Sequence, residues 1–186
     1  MERQTDSELM RQIGNGDSAQ LALLFERHHQ ALFRYLLHLS GDQAVSEDLV
    51  QEAFLRVLKH AKSFDPKQTF SVWLFGIARN AYFDLYRKRR VEQPATDLAE
   101  IRSKEPMLEE VLTRKQDVQL LSEALERLPE NKREVLVLSR FQHMKYEDIA
   151  RLLRCEVSTV KVRVYRALKE LRAHFAELRG EQLYDV

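Results

Sequence analysis

The sequence is poor in residues that cross-link or interrupt a chain: it has one cysteine, five glycines and four prolines among 186 residues. The single Cys155 cannot form an intramolecular disulfide, and a metal site built on neighbouring cysteines is excluded. So few glycines and prolines cannot supply the turns of a many-stranded sandwich or barrel. These shortages favour an all-α protein of a reducing compartment, in which we expect Cys155 to be a small buried filler.

Long apolar runs and an excess of charge of one sign are also missing. No stretch approaches the roughly 20 apolar residues that span a bilayer, and the polar N-terminus lacks the apolar segment of a signal peptide. We therefore expect a cytoplasmic protein with no membrane insertion of its own. Thirty Lys and Arg residues balance 29 Asp and Glu residues, a formal net charge of +1. Taken alone, this balance argues against a nucleic-acid-binding protein, but an average conceals local blocks of charge.

Helical periodicity divides the chain into two parts. Apolar residues recur at three- and four-residue steps, which predicts helices over 21–39, 46–60 and 71–90, from about 116 onward, and over 146–153 and 158–178. We expect Ser46 to be the N-cap of the second helix.

Residues 92–110 break this pattern, because they contain two prolines and six acids against two bases, a local net charge of −4. That composition is typical of a linker. The predicted fold is all-α, with two small helical domains joined by an acidic flexible linker. The N-terminal domain covers 1–91, the linker 92–115, and a C-terminal domain with a helix-turn-helix 116–186.

The helix-turn-helix pattern lies in residues 145–171. A short helix containing the small Ala150 is followed by a tight turn at 154–156 and a second helix. Residues 157–172 hold five bases and one acid, a local net charge of +4. A basic helix with hydroxyls in its first turn suits the major groove of DNA. The alternative is a helical hairpin with a solvated basic face.

Aromatic and basic residues alternate in the predicted helix 71–90. Residues 79–90 again carry five bases and one acid, a net charge of +4. Exposed aromatic rings beside cations can stack on unpaired bases while the cations hold the backbone. Alternatively, most rings are core and the final arginines complement the helix dipole. Both interpretations fit the sequence equally.

One side of the helix at 46–59 is polar and includes an exposed leucine, which hints at a protein contact. The alternative, an ordinary solvated face, is the commoner case. The residues on this side are Asp48, Gln51, Glu52, Leu55 and Lys59.

Four motifs follow one another along the chain: S-E-D-L-V-Q-E-A-F-L-R-V at 46–57, F-S-V-W-L-F-G-I-A-R-N at 70–80, L-P-E-N-K-R-E-V-L-V-L at 128–138 and Y-E-D-I-A-R-L-L-R-C-E-V-S-T-V-K-V-R at 146–163. In this order, they resemble the motifs of extracytoplasmic-function (ECF, group IV) sigma factors of bacterial RNA polymerase, in the sigma-70 family. The resemblance implies a dissociable subunit that directs core polymerase to a restricted set of promoters. It also implies that the protein is no enzyme and has no catalytic residue, metal or cofactor.

The resemblance further implies three contact surfaces. The first partner would be core polymerase, which would bind through its flap and the clamp helices of its largest subunit. The residues that would bind the clamp helices are Asp48, Leu49, Gln51, Glu52 and Leu55. The melted non-template strand of the −10 element would be captured by Phe64, Lys67, Thr69, Trp73, Arg79, Asn80, Phe83, Arg87 and Arg90. Duplex DNA of the −35 element would be read by Ser158, Thr159, Lys161, Val162, Arg163, Tyr165, Arg166 and Lys169.

The resemblance also implies that the acidic linker passes through polymerase toward its active-site and RNA-exit channels, and that an anti-sigma factor is a further partner. The chain departs from the family pattern at three positions, because family members commonly have glycine at 154 and 158 and serine at 162. If residue 154 needs a positive φ, arginine there costs about 1 kcal/mol relative to glycine. Val162 can contact a thymine methyl group, so the upstream specificity should differ from the family average.

Two other functional classes are weighed against this one. A one-component DNA-binding regulator with a ligand-sensing N-terminal domain would not need the polar helix at 46–59 or the exposed aromatics. A di-iron enzyme would need two E-x-x-H motifs and two further glutamates. The sequence has one such motif, Glu26 to His29.

Overall fold

The computed structural model describes residues 4–92 and 109–180, with side chains for 4–89 and 117–180. The chain divides into two compact units, 1–97 and 98–186, each of which is described by itself. The described residues are helices, turns and loops without a strand, so the expectation of an all-α fold with two helical domains is confirmed.

The described residues of the first unit, 4–92, contain four α-helices. They are α1 (Asp6–Gly14), α2 (Leu21–Ser40), α3 (Gln43–His60) and α4 (Phe70–Glu92), with short 3-10 turns at Ser18–Gln20 and Ala61–Ser63. Helices α2, α3 and α4 pack against one another, and α1 covers α2 and the turn after α3. The largest fully buried side chains include Leu24, Leu32, Tyr35, Leu36, Val57 and Leu74.

The turn between α2 and α3 also anchors α4. Gly41 ends α2 with a φ of 69°, a left-handed conformation that favours glycine. Beside it, Tyr82 of α4 donates a hydrogen bond to the carbonyl of Leu39 at 3.2 Å, and Tyr86 donates one to the carbonyl of Ser40 at 3.4 Å. These two phenols fix the register of α4 against the end of α2.

The expectation that Ser46 caps α3 was wrong. Asp42 is the N-cap, and its carboxylate accepts a hydrogen bond from the Val45 amide at 3.0 Å. Ser46 lies one turn into the helix, fully buried, where its hydroxyl donates to the carbonyl of Asp42 at 2.6 Å. Asp42 takes the cap because it directly follows the Gly41 turn.

Helix α1 was not predicted, although the sequence carries its signal. Thr5 and Glu8 form a capping box: the Glu8 amide donates to Thr5 Oγ1 at 3.3 Å and the Thr5 amide to Glu8 Oε2 at 2.7 Å. The Asp6 carboxylate accepts from Arg27 Nη1 at 2.7 Å and lies 2.7 Å from His28 Nε2. The same short segment therefore starts α1 and ties it to α2.

The second unit contains α5 (Glu109–Glu126), α6 (Glu130–Leu136), a π-helical turn (Val137–Phe141), α7 (Tyr146–Leu153) and α8 (Val157–Arg179). Helix α8 packs against α5, α6 and α7. The fully buried residues of the second unit include Leu128, Leu136, Leu138, Ile149, Val160 and Ala167.

Helix α7 has the predicted bounds, and α8 extends one residue beyond the prediction at each end. The helix expected from about residue 116 begins at Glu109, so residues 109–115 of the predicted linker are helical. The rest of the predicted linker from residue 93, including both of its prolines, lies outside the described residues. Within the described part of the chain, no helix has the length and apolar character to cross a membrane.

Candidate nucleic-acid and protein interfaces

Helix α8 separates its predicted DNA-reading residues from its buried stripe. Val160, Val164 and Ala167 face the core, each 2% exposed or less. On the other side Val162 is 47% and Tyr165 71% exposed, unusual values for side chains of this size. Ser158, Lys161, Arg166 and Lys169 are exposed as well, and Thr159 and Arg163 are half-buried.

The positive charges on this face of α8 have no ion-pair partner among the described residues. Among the ion pairs formed by the described residues, none involves Lys161, Arg163, Arg166 or Lys169. Their cations thus remain available for an anionic ligand. This face of α8 therefore combines hydroxyl groups, exposed apolar side chains and cations without an ion-pair partner among the described residues. Such a helix surface is suited to duplex DNA.

The turn before α8 uses an arginine in a glycine conformation. Arg154 ends α7 with φ 51° and ψ 51°, and the Cys155 amide donates to the carbonyl of Ala150 at 3.0 Å. Residue 154 therefore does have a positive φ, and an arginine in this conformation is strained by about 1 kcal/mol relative to glycine. Cys155 is half-buried and not the fully buried filler that we expected.

Helix α4 divides its aromatic rings between the core and a partly exposed surface. Phe75 and Tyr82 are buried core residues, whereas Trp73 and Phe83 are half-buried. Phe64 and Phe70, both buried, lie beside Trp73 with ring centroids 5.1 and 6.2 Å from that of the indole. Phe64 is 9% exposed, so we assign it to the support of Trp73 and not to direct contact with DNA.

An open depression of about 470 Å³ lies further along α4. Its lining residues are Arg56, Arg79, Asn80, Phe83, Asp84 and Arg87. The Arg79 guanidinium lies over the Phe83 ring, 4.6 Å from the centroid, and Asn80 and Arg87 are exposed. Arg79 and Arg87 beside the Phe83 ring provide cations and an aromatic surface that suit a nucleotide.

The loop before α4 and the far end of that helix hold the remaining predicted −10 residues. Lys67 and Thr69 are exposed in the loop, where the Lys67 amide donates to Asp65 Oδ1 at 2.9 Å. Arg90 lies in α4, and its side chain is outside the described residues.

Helix α3 presents a polar face with an apolar centre. Leu55 is 61% exposed, Asp48 and Gln51 are exposed, and Glu52 is half-buried. Leu49, which was predicted as a contact residue, is 4% exposed. Its side chain packs in the core and offers almost no surface to a partner.

Sequence reasoning missed Arg56 and Asp84, which join the two surfaces of the first unit. Arg56 Nε donates to Glu52 Oε1 at 2.6 Å, and its Nη1 donates to Asp84 Oδ2 at 3.2 Å. The hydrogen bond to Glu52 is the main cause that raises the pKa of Arg56, and the bond to Asp84 adds to it against the opposing effect of burial. The spacing from Glu52 to Arg56 is a helical i,i+4 signal, but the pairing with α4 needs the fold.

Within the described residues, no three His, Cys, Asp or Glu side chains are grouped so that they could hold a metal ion.

Comparison with known proteins identifies both units. Sigma-70 region 2 matches residues 24–92, and sigma-70 region 4 matches residues 119–171. The chain is 30% identical to the ECF RNA polymerase sigma factor SigX of Bacillus subtilis, over 88% of this chain and 87% of SigX. It is 37% identical to the ECF sigma factor EcfG of Rhodopseudomonas palustris, over 77% of this chain and 78% of EcfG.

Solved structures of other sigma factors have a similar fold, and two of them are compared with this chain. CnrH, in complex with the cytosolic domain of CnrY, superposes with a TM-score of 0.71 at 26% identity, covering 95% of this chain and 99% of CnrH. The sigma factor RpoE of Bartonella quintana, in complex with the anti-sigma factor NepR, gives a TM-score of 0.66 at 27% identity, covering 86% and 96% of the two chains.

The chain belongs to the ECF sigma factors of the sigma-70 family. The predicted function is confirmed at that level: this is a promoter-specific sigma factor of RNA polymerase and hence a transcription initiation factor.

Proposed function

We propose a division of labour among three surfaces of this sigma factor. Helix α3 binds core polymerase, α4 and the loop before it capture the melted non-template strand of the −10 element, and α8 reads the −35 element as duplex. The observation that carries this proposal is that the two cationic surfaces are built differently. Helix α8 exposes hydroxyls and unpaired cations, which suit a groove, whereas α4 presents aromatic rings beside cations, which suit unpaired bases.

The polymerase contact centres on Leu55. An exposed leucine framed by Asp48, Gln51 and Glu52 gives an apolar anchor with a polar rim, the usual build of a protein interface. The basic residues near this face are Arg56, whose charge is paired with Glu52 and Asp84, and Lys59 at its end. The face therefore offers little positive charge to DNA.

The domain assignments follow from these surfaces. Residues 1–91 act as the polymerase- and −10-binding domain, 92–115 pass through polymerase, and 116–186 form the −35-binding domain, which also meets the flap. The negative charge within 92–110 keeps that segment from competing for DNA. The protein acts in the cytoplasm as a dissociable subunit and supplies no catalytic residue or cofactor, because the chemistry belongs to polymerase.

An anti-sigma factor is the remaining partner. RpoE of Bartonella quintana is seen in complex with the anti-sigma factor NepR, and the similar fold of this chain supports a partner of the same class. Such a partner would act by covering α3, α4 or α8.

Reconstituted transcription tests the division of labour. The protein is added to core polymerase of the source bacterium, and promoters are selected from a library of random duplexes by the holoenzyme. Three variants are then compared for core affinity, binding to the −35 duplex and strand opening. We expect Leu55→Asp to lower core affinity, Asn80→Ala to lower strand opening, and Arg166→Ala to lower duplex binding.

Leu23 provides the matched control for Leu55, because it is a leucine of α2 that is 39% exposed. Leu23→Asp should leave core affinity unchanged. Initiation that is equal with and without the protein would refute its function at these promoters. Loss of core binding in Asn80→Ala would refute the division of labour.

A further inference from the structure

Arg56 occupies a position that neither the polymerase-facing nor the DNA-facing residue set includes. It projects from α3, and its guanidinium bonds along two edges: Nε to Glu52 of the same helix, and Nη1 to Asp84 of α4. Asp84 also accepts a hydrogen bond from Arg87 through its other oxygen. Glu52, Arg56, Asp84 and Arg87 thus form one continuous chain of ion pairs.

The geometry of this chain fixes orientation as well as charge. A guanidinium is planar and rigid, so bonds on two of its edges leave it little freedom to rotate. Asp84 is then held by Arg56 on one oxygen and holds Arg87 with the other. Arg87 lies on the rim of the same depression as Arg79, Asn80 and Phe83.

Asp84 is otherwise difficult to explain at this place. A carboxylate among cations that face DNA repels phosphate and lowers affinity by simple electrostatics. Its presence in the lining of the depression on α4 is accounted for if it orients Arg87 and is itself neutralised by Arg56.

We propose that Arg56 is a positioning residue for the single-strand-binding surface: through Asp84 it holds Arg87 in the orientation that receives the melted strand. This inference rests on the proposed function of α4. Arg56 itself contacts neither a phosphate nor a base.

The test measures how holoenzyme, assembled with saturating core, binds a non-template-strand oligonucleotide spanning the −10 region of a selected promoter. We expect Arg56→Ala to weaken binding about three- to fivefold, the range for a partly exposed ion pair. Because Arg56 acts through Arg87, the double variant Arg56→Ala/Arg87→Ala should bind no more weakly than Arg87→Ala alone. Additive losses would overturn the proposal.

Two further variants separate positioning from charge. Arg56→Lys keeps the cation but presents one compact ammonium that cannot bond along two edges, so it should bind as weakly as Arg56→Ala; rescue by lysine would overturn the proposal. Asp84→Asn removes an acid from the DNA-facing surface and should nevertheless weaken binding. A gain in affinity would show that Asp84 only repels DNA and would overturn the proposal as well.

The controls distinguish failure of this inference from failure of the proposed function. Binding of the −35 duplex and the melting temperature should be unchanged in Arg56→Lys and Asp84→Asn, which preserve side-chain size. If Asn80→Ala weakens strand binding while the Arg56 variants do not, only the inference fails. If Asn80→Ala also leaves strand binding unchanged, the assignment of α4 fails with it.

Discussion

Lys132 of α6 forms an ion pair with Glu170 of α8, and Glu170 is the one acid among residues 157–172. The pair neutralises the only acid within this basic stretch of α8. The basic face of α8 is therefore a product of packing between two helices as well as of its own sequence.

Replacing Lys132 should weaken binding of the −35 duplex although the residue lies on another helix. In Lys132→Ala the Glu170 carboxylate is left uncompensated near the DNA-facing cations, and we expect a loss of about two- to threefold at moderate salt. Fluorescence anisotropy with the selected duplex measures it. The loss should vanish in a Glu170→Gln background; a loss that persists there would mean that Lys132 binds DNA directly.

Arg166 and Lys169 should differ in what they contribute at the −35 element. If Arg166 pairs with a guanine edge, Arg166→Ala costs about 1–3 kcal/mol on the preferred duplex and relaxes discrimination at one base pair. Lys169→Ala should weaken all duplexes equally and reduce the salt dependence. Competition among duplexes with single base-pair changes measures both. Arg11→Ala, an exposed arginine of α1, is the control, and equal discrimination by Arg166→Ala and the wild type would contradict the assignment.

Removing the Trp73 ring should impair strand opening more than core binding. Stacking of a base on an aromatic ring is worth about 1–3 kcal/mol, so Trp73→Ala should reduce the open complex at least several-fold in permanganate footprints. Trp73→Phe keeps a smaller stacking surface and should be intermediate. Since Trp73 also packs on Phe64 and Phe70, the melting temperature is measured alongside. An unchanged open complex in a folded Trp73→Ala protein would remove Trp73 from the strand-capture surface.

Arg154→Gly should stabilise the second unit. The left-handed backbone at Arg154 favours glycine, and relief of the strain is worth about 1 kcal/mol. Chemical denaturation followed by circular dichroism measures the change. Arg151→Gly is the matched control of opposite sign, because Arg151 is inside α7, where glycine costs about 1 kcal/mol. A loss of stability in Arg154→Gly would show that the arginine side chain outweighs the strain.

The capping box of α1 should make that helix sensitive to acid. Hydrogen bonds from the Thr5 backbone and side chain lower the pKa of Glu8 below its ordinary value of 4.5. The stabilisation is therefore complete above pH 4.5 and is lost as the pH falls through the lowered pKa. Amide exchange of α1 should show a difference in protection between wild type and Thr5→Ala at neutral pH that shrinks in acid. A constant difference would contradict this account.

The sequence contained the helices but left part of the packing between them undetermined. Periodicity located α2, α7 and most of α8, because each has a regular apolar stripe. It missed α1, since the signal there is the Thr5–Glu8 spacing and not a long stripe. It misplaced the start of α3 because Ser46 is a good N-cap residue, and only the fold shows that Ser46 is buried one turn inside the helix.

The exposure of residues on the candidate surfaces could also be predicted in part from the sequence. The exposure of Leu55 and of Val162 could be read from the residues that surround them in a helical projection. The burial of Leu49 follows from that projection too, yet Leu49 was assigned as a contact by resemblance. Arg56 and Asp84 are 28 positions apart, and nothing local to either one indicates that they meet.

Trp73 is the only tryptophan in the chain, and it lies half-buried on a base formed by Phe64 and Phe70. Its indole emission therefore comes from one place in the molecule, with no second tryptophan of the chain to obscure it. A nucleobase stacked on that ring would quench the emission, so the unlabelled protein carries an optical reporter at the site where the strand is expected to bind.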